Sequence, residues 1–512
     1  MQRSILLAMI LLAGGVPAVF GWPARFPTGT TLYDPEKAYI GYTLFAPMGE
    51  DNYKLYLINM SGQVVHEWKL PFKVIYGRLL RNGNLVVVAH DPKIEEGRPG
   101  ILPFRMGGVA GMLFELTWEG TVVFRHEDLN MHHDAVKLAN GNYLYLAWER
   151  VPKQLQAKVR GGIKHTEFPN LLRSQPDLTV EEFEHLDRVM FNDVLIEVDP
   201  QHNVVWQWHA NEHLDPDVDI IGMIYPREEW CHANTVNVLR NGNVLITSRT
   251  LDAMMVIDKQ TGDVNFRWGN SQRLDKETGE IELVQMPTFP ALPGPATILS
   301  GPHGAEEVPA GLPGEGHFTC YDNGCFSPGP LRDSRGIEID PQTGKIVWQS
   351  TRLENGMSAV LGRKHFSEIL GSAQRLPNGN MLLCAGINGR LFQVAQDQTE
   401  VWEYVSPFSD DKRFNGAVIK AYCYPTDYCP QFAGLLPVKG PAVLASAEGG
   451  ESHAGLWQLL RSADSMWLAA GLVAAAACLL AVGFAFGRKR GRLQATAAVA
   501  RPAVQRTKRR RR

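Results

Sequence analysis

The 512-residue chain has no Cys-x-x-Cys pair, the usual sequence sign of a thiolate zinc site. It also has no P-loop, so the common backbone cradle for a nucleotide phosphate is missing. Seven cysteines are too few for a disulfide scaffold of this length. Cys320 and Cys325 bracket YDNG and Cys423 and Cys429 bracket YPTDY, so each pair is close enough in sequence to bridge locally or to stay reduced. Acidic residues are absent from both ends: residues 1–21 and 488–512 contain none. Charge of either sign is absent from Met466 to Gly487, the one long apolar run near the C-terminus.

These absences organise the rest. Arg3, the apolar run Leu6 to Val16 and the small Gly21 have the order of a signal peptide, residues 1–21. Residues 466–487 are 22 in number, enough at helical rise to cross a bilayer core, and the 25 residues after them hold eleven Lys or Arg. That asymmetry predicts a single-pass membrane helix with the basic tail, 488–512, in the cytoplasm and the large domain in the periplasm or outside the cell. Between residues 22 and 465 lie 39 basic and 54 acidic side chains, about −15, a balance that weighs against a nucleic-acid partner.

The remaining segment, 22–445 with a polar linker at 446–465, is too long for one ordinary core, and internal repetition explains how it folds. Six stretches share one pattern: LYLINMSGQVVHEW (55–68), LFELTWEGTVVF (113–124), LIEVDPQHNVVWQW (195–208), MVIDKQTGDVNFRW (255–268), IEIDPQTGKIVWQ (337–349) and LFQVAQDQTEVWEY (391–404). Each is a period-two run, a polar turn and a second run that usually reaches a Trp or Phe, which is a β-hairpin. Between them recur LLRNGNLVVV, VKLANGNYLYL, VNVLRNGNVLI and AQRLPNGNMLL, whose Asn-Gly pairs supply the positive φ of a tight turn. One of each makes a four-stranded antiparallel blade, so the expectation is an all-β, six-bladed propeller closed by strands from both chain ends. A pair of β-sandwiches is the alternative, though it would not require so regular a repeat. Loops at 151–190 and 270–300 are expected to project from the blade edges.

Register then places side chains around the axis. Ahead of successive Asn-Gly turns stand Tyr76-Gly77-Arg78, His132-His133-Asp134, His232-Ala233-Asn234 and Gly371-Ser372-Ala373, with His303 of GPHGAEE at the comparable point of the intervening blade. Three consecutive blades thus turn histidine toward one opening of the channel. Eight residues past the first Asn of its turn, Arg249 returns on the strand paired with that of His232, and Arg335 opens the fifth hairpin. Gly301 and Gly304 flank His303 and are expected to leave its backbone uncrowded for an approaching substrate. Imidazoles with an arginine, and few acids close by in sequence, suit transfer of an anionic group: one ring as nucleophile, another moving a proton, the guanidinium holding charge.

HHDAVKLANGN, CHANTVNVLRNGNVLITSR, GPHGAEE with HFTCYDNG, SRGIEIDPQTGKIVWQ and GSAQRLPNGNMLLCAGINGRLFQV together resemble the bacterial arylsulfate sulfotransferase family, over about residues 113 to 405. The resemblance implies a nucleotide-independent propeller enzyme, without a cofactor, that moves a sulfuryl group from a phenolic ester to another phenol. It implies that His303 is transiently sulfated, that His133, His232, Asn234 and Arg249 surround the group, and that Ser372 supplies a hydroxyl from a later blade. Arg335 and His132 are further candidates for substrate contact. The doubled His132-His133 leaves two choices for the first histidine, of which strand parity with His232 favours His133. Two other readings use the same residues: a multi-histidine site for iron or zinc, which the cationic Arg249 disfavours, and a non-catalytic propeller that binds a ligand or protein at the membrane surface.

Overall fold

The computed structural model describes residues 28–49, 52–95, 107–164, 189–269, 272–274, 281–283, 299–324, 334–350, 366–408 and 416–435. Residues 1–21, expected as a signal peptide, most of 151–190 and 270–300, expected as loops, the expected linker at 446–465, the apolar run at 466–487 and the basic residues 488–512 lie outside these residues. Contacts divide the chain into Met1–Ala445 and Ser446–Arg512, and all described residues fall in the first unit.

Six antiparallel sheets form the six blades of a propeller. From the innermost strand outward, the first blade is Val418–Pro425, Gly41–Pro47, Lys54–Ile58 and Val64–Lys69, and the second Val74–Leu79, Leu85–His90, Gly111–Leu116 and Val122–Glu127. The third is Met131–Lys137, Tyr143–Arg150, Phe191–Val198 and Val204–His209, and the fourth Ala233–Val238, Val244–Ser248, Ala253–Ile257 and Val264–Trp268. The fifth is His303–Glu307, Phe318–Asp322, Arg335–Asp340 and Lys345–Gln349; the sixth is Ser372–Arg375, Met381–Ala385, Arg390–Val394 and Glu400–Val405. Both chain ends close the ring. Val418–Pro425 becomes the innermost strand of the first blade, and Gly29–Tyr33 adds a fifth, outermost strand to the sixth. Each fold-back pairs residues far apart in the chain and so ties the two ends of the ring together.

The alternation read from sequence is the alternation of burial. Middle strands, covered by a neighbouring blade on both faces, are apolar at nearly every position, as in LVVVA of the second blade, whereas the outermost strand of that blade, Val122–Glu127, buries only Phe124. Three of the tryptophans that end the repeat act as staples between blades. Trp208 donates its indole N–H to the Gly262 carbonyl of the next blade at 2.8 Å, Trp268 to that of Gly344 at 2.7 Å, and Trp402 to that of Met60 across the seam at 2.8 Å. One such bond contributes about 1 kcal/mol net, and burying the ring adds about 2–3 kcal/mol more.

Two local expectations are corrected. The Asn-Gly turns carry positive φ only at the glycine: Gly83, Gly141, Gly242 and Gly379 lie between +85° and +91°. In each, the glycine N–H bonds back to a carbonyl three residues earlier (Leu80, Leu138, Leu239 or Leu376), whose own N–H bonds to the Asn after the glycine. They are therefore turns with a left-handed glycine bulge rather than two-residue turns with both residues left-handed. Local disulfide bridging also fails where it can be examined. Cys423 and Cys429 are both buried free thiols, because Cys423 is locked into strand pairing with Thr43 while Cys429 caps the short 3₁₀ turn after it. Cys320 is likewise a buried thiol, and Cys325 lies outside the described residues.

Candidate functional site

The innermost strands of the third, fourth and fifth blades begin at one end of the channel, and there the histidines meet. His133 and His232 both adopt φ +48°, a left-handed conformation that costs a residue with a Cβ on the order of 1–3 kcal/mol. Each is held there by backbone bonds: the His133 N–H to the Gly108 carbonyl at 2.7 Å, and the His232 carbonyl from the Arg249 N–H at 3.1 Å. The bulge that results turns the two rings edge to face with centroids 4.8 Å apart. Burial and the mutual repulsion of the rings push His133 well below the usual histidine range; burial and Arg249 do the same to His232. The His232 Nδ1 is paired with the Glu229 carboxylate one turn earlier.

His132 faces away from this pair. Its ring stacks on Trp148 with centroids 4.2 Å apart, its Nε2 lies 3.1 Å from an Asp193 oxygen as a charge contact, and its Nδ1 hydrogen-bonds the His133 Nδ1 at 2.9 Å. It touches His133 from behind rather than opening on the channel.

His303 starts the innermost strand of the fifth blade. Its Nδ1 lies 2.7 Å from Asn323 Oδ1 and 2.9 Å from the Gly301 carbonyl, and its Nε2 accepts the Leu370 N–H at 3.3 Å. Burial, with Arg249 second, lowers it to about 3, so the ring is neutral at physiological pH. The glycines beside it are not open space. A Cβ on Gly304 would stand 2.7 Å from Ser372 Cα and 2.8 Å from the Gly371 carbonyl oxygen, so Gly304 lets the sixth blade approach, and Gly301 gives its N–H to Asp252 at 2.7 Å.

Arg249 completes the group. Its guanidinium lies over the Tyr225 ring at 5.2 Å, and its Nε is buried without a hydrogen-bond partner. No carboxylate comes within ion-pair distance of it among the described residues. A buried donor left unmade costs about 1–3 kcal/mol or more when charged, so this side chain is set to receive an acceptor that the described residues do not provide. Nearby, Asp252 accepts the Tyr225 hydroxyl at 2.6 Å, and burial raises it to about 7.

Three other residues singled out from sequence are committed elsewhere. Asn234 donates to the Pro302 carbonyl at 2.8 Å and accepts the Thr247 hydroxyl at 2.6 Å, tying the fourth blade to the segment that carries His303. Arg335 is bound by Asp322 at 2.9 Å and Gln349 at 2.6 Å inside the fifth blade, so its fork of donors is filled by the protein. The Ser372 hydroxyl bridges to the backbone of Ala421, giving at 3.3 Å and accepting at 3.2 Å.

Sequence reading missed the acids: Asp193 reaches His132 from the third strand of the same blade, while Glu229 stands only three residues before His232. Asp193 and Glu229 back His132 and His232, and a second layer fills the channel beside them. Asp134 is fully buried with the Lys420 ammonium 2.5 Å away, and it accepts the Tyr76 hydroxyl and the Val236 N–H. Arg78 lies 4.0 Å from both Asp134 and Glu306 with its guanidinium over Tyr422. The available signal was Tyr76-Gly77-Arg78 and Asp134 at the histidine register; Lys420 and Tyr422 sit on the C-terminal closing strand, which has no Asn-Gly turn to mark it. Among the described residues no group of three or more His, Cys, Asp or Glu is arranged to hold a metal ion.

Comparison with known proteins adds a family. Residues 178–422, which include His232, Arg249 and His303, match the model of the arylsulfotransferase (ASST) family. No curated protein matches the chain significantly. Solved structures with a similar course include a protein of unknown function from Bacteroides caccae, 10% identical with TM-score 0.40, covering 75% of this chain and 98% of that one. A streptogramin B lyase is 11% identical with TM-score 0.34, covering 77% and 87%, and the virginiamycin B lyase from Staphylococcus aureus is 10% identical with TM-score 0.33, covering 74% and 84%. Likenesses this distant carry nothing about activity.

Proposed function

We propose, from the match of residues 178–422 to the arylsulfotransferase family model, that the channel end formed by His133, His232, His303 and Arg249 transfers a sulfuryl group from a phenolic sulfate ester to a phenol through a sulfated His303. The observation that carries the proposal is the buried, unpartnered Arg249 Nε facing neutral imidazoles. An anion is the ligand such a donor lacks, and a neutral ring nitrogen is the nucleophile such an anion would meet.

The ester's sulfate binds against Arg249. A His303 ring nitrogen attacks sulfur, the N–S bond forms, and the S–O bond breaks with its electron pair leaving on the donor phenolate. His133 or His232 gives that phenolate a proton; the negative ester raises their proton affinity when it binds, and their burial makes either ring a strong acid once charged. In the second half the same ring takes the proton from the acceptor phenol, whose oxygen attacks sulfur and returns the bonding pair to His303. The kinetics are ping-pong. Asn234 acts in this scheme by fixing Pro302 ahead of His303, and His132 by backing His133. His303→Ala is expected to fold, with a lowered melting temperature because Asn323 Oδ1 loses its ring partner, and to lose transfer from a chromogenic phenyl sulfate by at least about a thousandfold. Rapid-quench mass spectrometry of the native protein should find the sulfuryl group on the His303 peptide. Sequential kinetics with full activity of the variant would exclude the scheme.

We further propose, from the sequence pattern alone, that residues 466–487 span a membrane with the propeller on the extracytoplasmic side. Among the described residues no helix is long and apolar enough to do so, and this run lies outside them. Truncation before Met466 should move the protein from the membrane fraction to the soluble fraction with its activity intact; recovery only as aggregate would overturn the assignment.

A further inference from the structure

Asn323 is fully buried in the turn that follows the second strand of the fifth blade, and each of its side-chain atoms has one possible role. Its amide nitrogen donates to two carbonyls, those of Ser367 and Leu370, at 2.7 Å each. A carbonyl can only accept, so the amide cannot be turned round, and Oδ1 is the atom that faces His303 Nδ1 at 2.7 Å. The Gly301 carbonyl, on the same nitrogen at 2.9 Å, is also only an acceptor. On the other side of the ring the Leu370 N–H, a donor without lone pairs, points at Nε2 from 3.3 Å. Leu370 holds φ +65°, so its amide is aimed there by the same loop that Asn323 clamps.

We infer that Asn323 is a positioning residue that fixes His303 as the Nδ1–H tautomer and so makes Nε2 the atom that receives the sulfuryl group. The inference rests on the sulfotransfer reading only for what Nε2 does; the tautomer itself follows from the surrounding donors and acceptors. When sulfur bonds to Nε2 the ring keeps its Nδ1 proton, and the positive charge that develops on the ring is met by Asn323 Oδ1 and the Gly301 carbonyl, while the Leu370 N–H is displaced from the lone pair. Without Asn323 only the Gly301 carbonyl is left as acceptor at Nδ1, so the Nε2–H form, whose channel-facing nitrogen has no lone pair to attack with, gains population.

The test uses the full chain with ¹⁵N-labelled histidine. The His303 ring, assigned from its loss in His303→Gln, is expected in long-range ¹H–¹⁵N spectra as the Nδ1–H form, with Asn323→Leu giving a mixture of both forms. An Nε2–H ring in the native protein, or an unchanged population in Asn323→Leu, overturns the inference. In rapid-quench kinetics Asn323→Leu should slow the first half-reaction about tenfold to a hundredfold with little change in ester KM, roughly the loss expected when one positioning contact is removed. Asn323→Asp keeps an acceptor at Nδ1 and adds a negative charge, so it should retain the tautomer and move the acid limb of the first half-reaction to higher pH. If Asn323→Leu does not fold, that limb decides: an unmoved limb in Asn323→Asp overturns the inference, because a merely structural residue would lower the rate without shifting its pH profile. A native protein that shows the Nδ1–H ring but no sulfate on His303 leaves the tautomer assignment standing and removes the sulfotransfer scheme; a sulfuryl group found on Nδ1 keeps the scheme and overturns the inference.

Discussion

Two charged layers share the channel, and they are built on opposite terms. In the middle, Asp134 and Lys420 are paired at 2.5 Å, and Arg78 lies between Asp134 and Glu306, so each buried charge has an opposite charge within 4.0 Å. At the end occupied by His133, His232 and His303, Arg249 has no such partner and the rings are neutral. Charges of the first kind tie together four of the six innermost strands across the axis; Lys420 on the closing strand reaches Asp134 of the third blade. Charges of the second kind are left wanting a ligand. The same register thus supplies cement in one layer and a binding site in the next, and what separates them is whether another blade delivers the counter-charge.

Breaking one partner in each layer should separate the two roles. Asp134→Ala leaves Lys420 buried and uncompensated, and is expected to cost about 3–5 kcal/mol of stability, read as a large fall in melting temperature. Adding Lys420→Met should recover much of it. A small loss in the single variant would show that the middle layer is not what holds the ring. Arg249→Met should do the opposite, leaving the melting temperature unchanged or raised while transfer falls about a hundredfold to a thousandfold, the usual effect of losing one donor to a developing charge. If it unfolds the protein instead, the contrast between the layers fails.

A smaller effect follows from Asp252, the acid nearest the unpaired end. Its pKa is raised from 3.8 to about 7, so the folded state holds this proton more tightly than the unfolded chain does. The sign is therefore a stability contribution that declines as pH rises between about 4 and 7. Above that window the ionised carboxylate competes with the substrate for the field of Arg249, and ester KM should rise a few fold between pH 6 and pH 8. Asp252→Asn keeps an oxygen for Tyr225 and Gly301 and should flatten both trends; a KM that still rises in that variant would assign the dependence to another group.

The repeat made the blades readable, because period-two burial and Asn-Gly turns are local properties. All six outer hairpins occur where the pattern placed them, and the histidines of three consecutive blades do meet. Legibility stopped where a residue's role depends on a partner from elsewhere in the chain. Arg335 and Arg249 look alike in sequence, each an arginine beside a strand end, yet Asp322 fills the first, while among the described residues the Nε of the second has no hydrogen-bond partner. Gly304 suggested room and is instead a contact with Ser372. Asn323 was visible only as part of a turn between two cysteines.

Sequence by itself determined the six-fold architecture, the end of the channel where chemistry would gather and the imidazole and guanidinium groups gathered there, since these depend on spacing within about twelve residues. Only the tertiary structure decided which charges are paired, which face of His132-His133 meets His232, and which nitrogen of His303 carries the proton. Those depend on donors and acceptors brought from 20 to 286 residues away, and a hydrogen bond a few ångströms long leaves no trace in the local pattern of either partner.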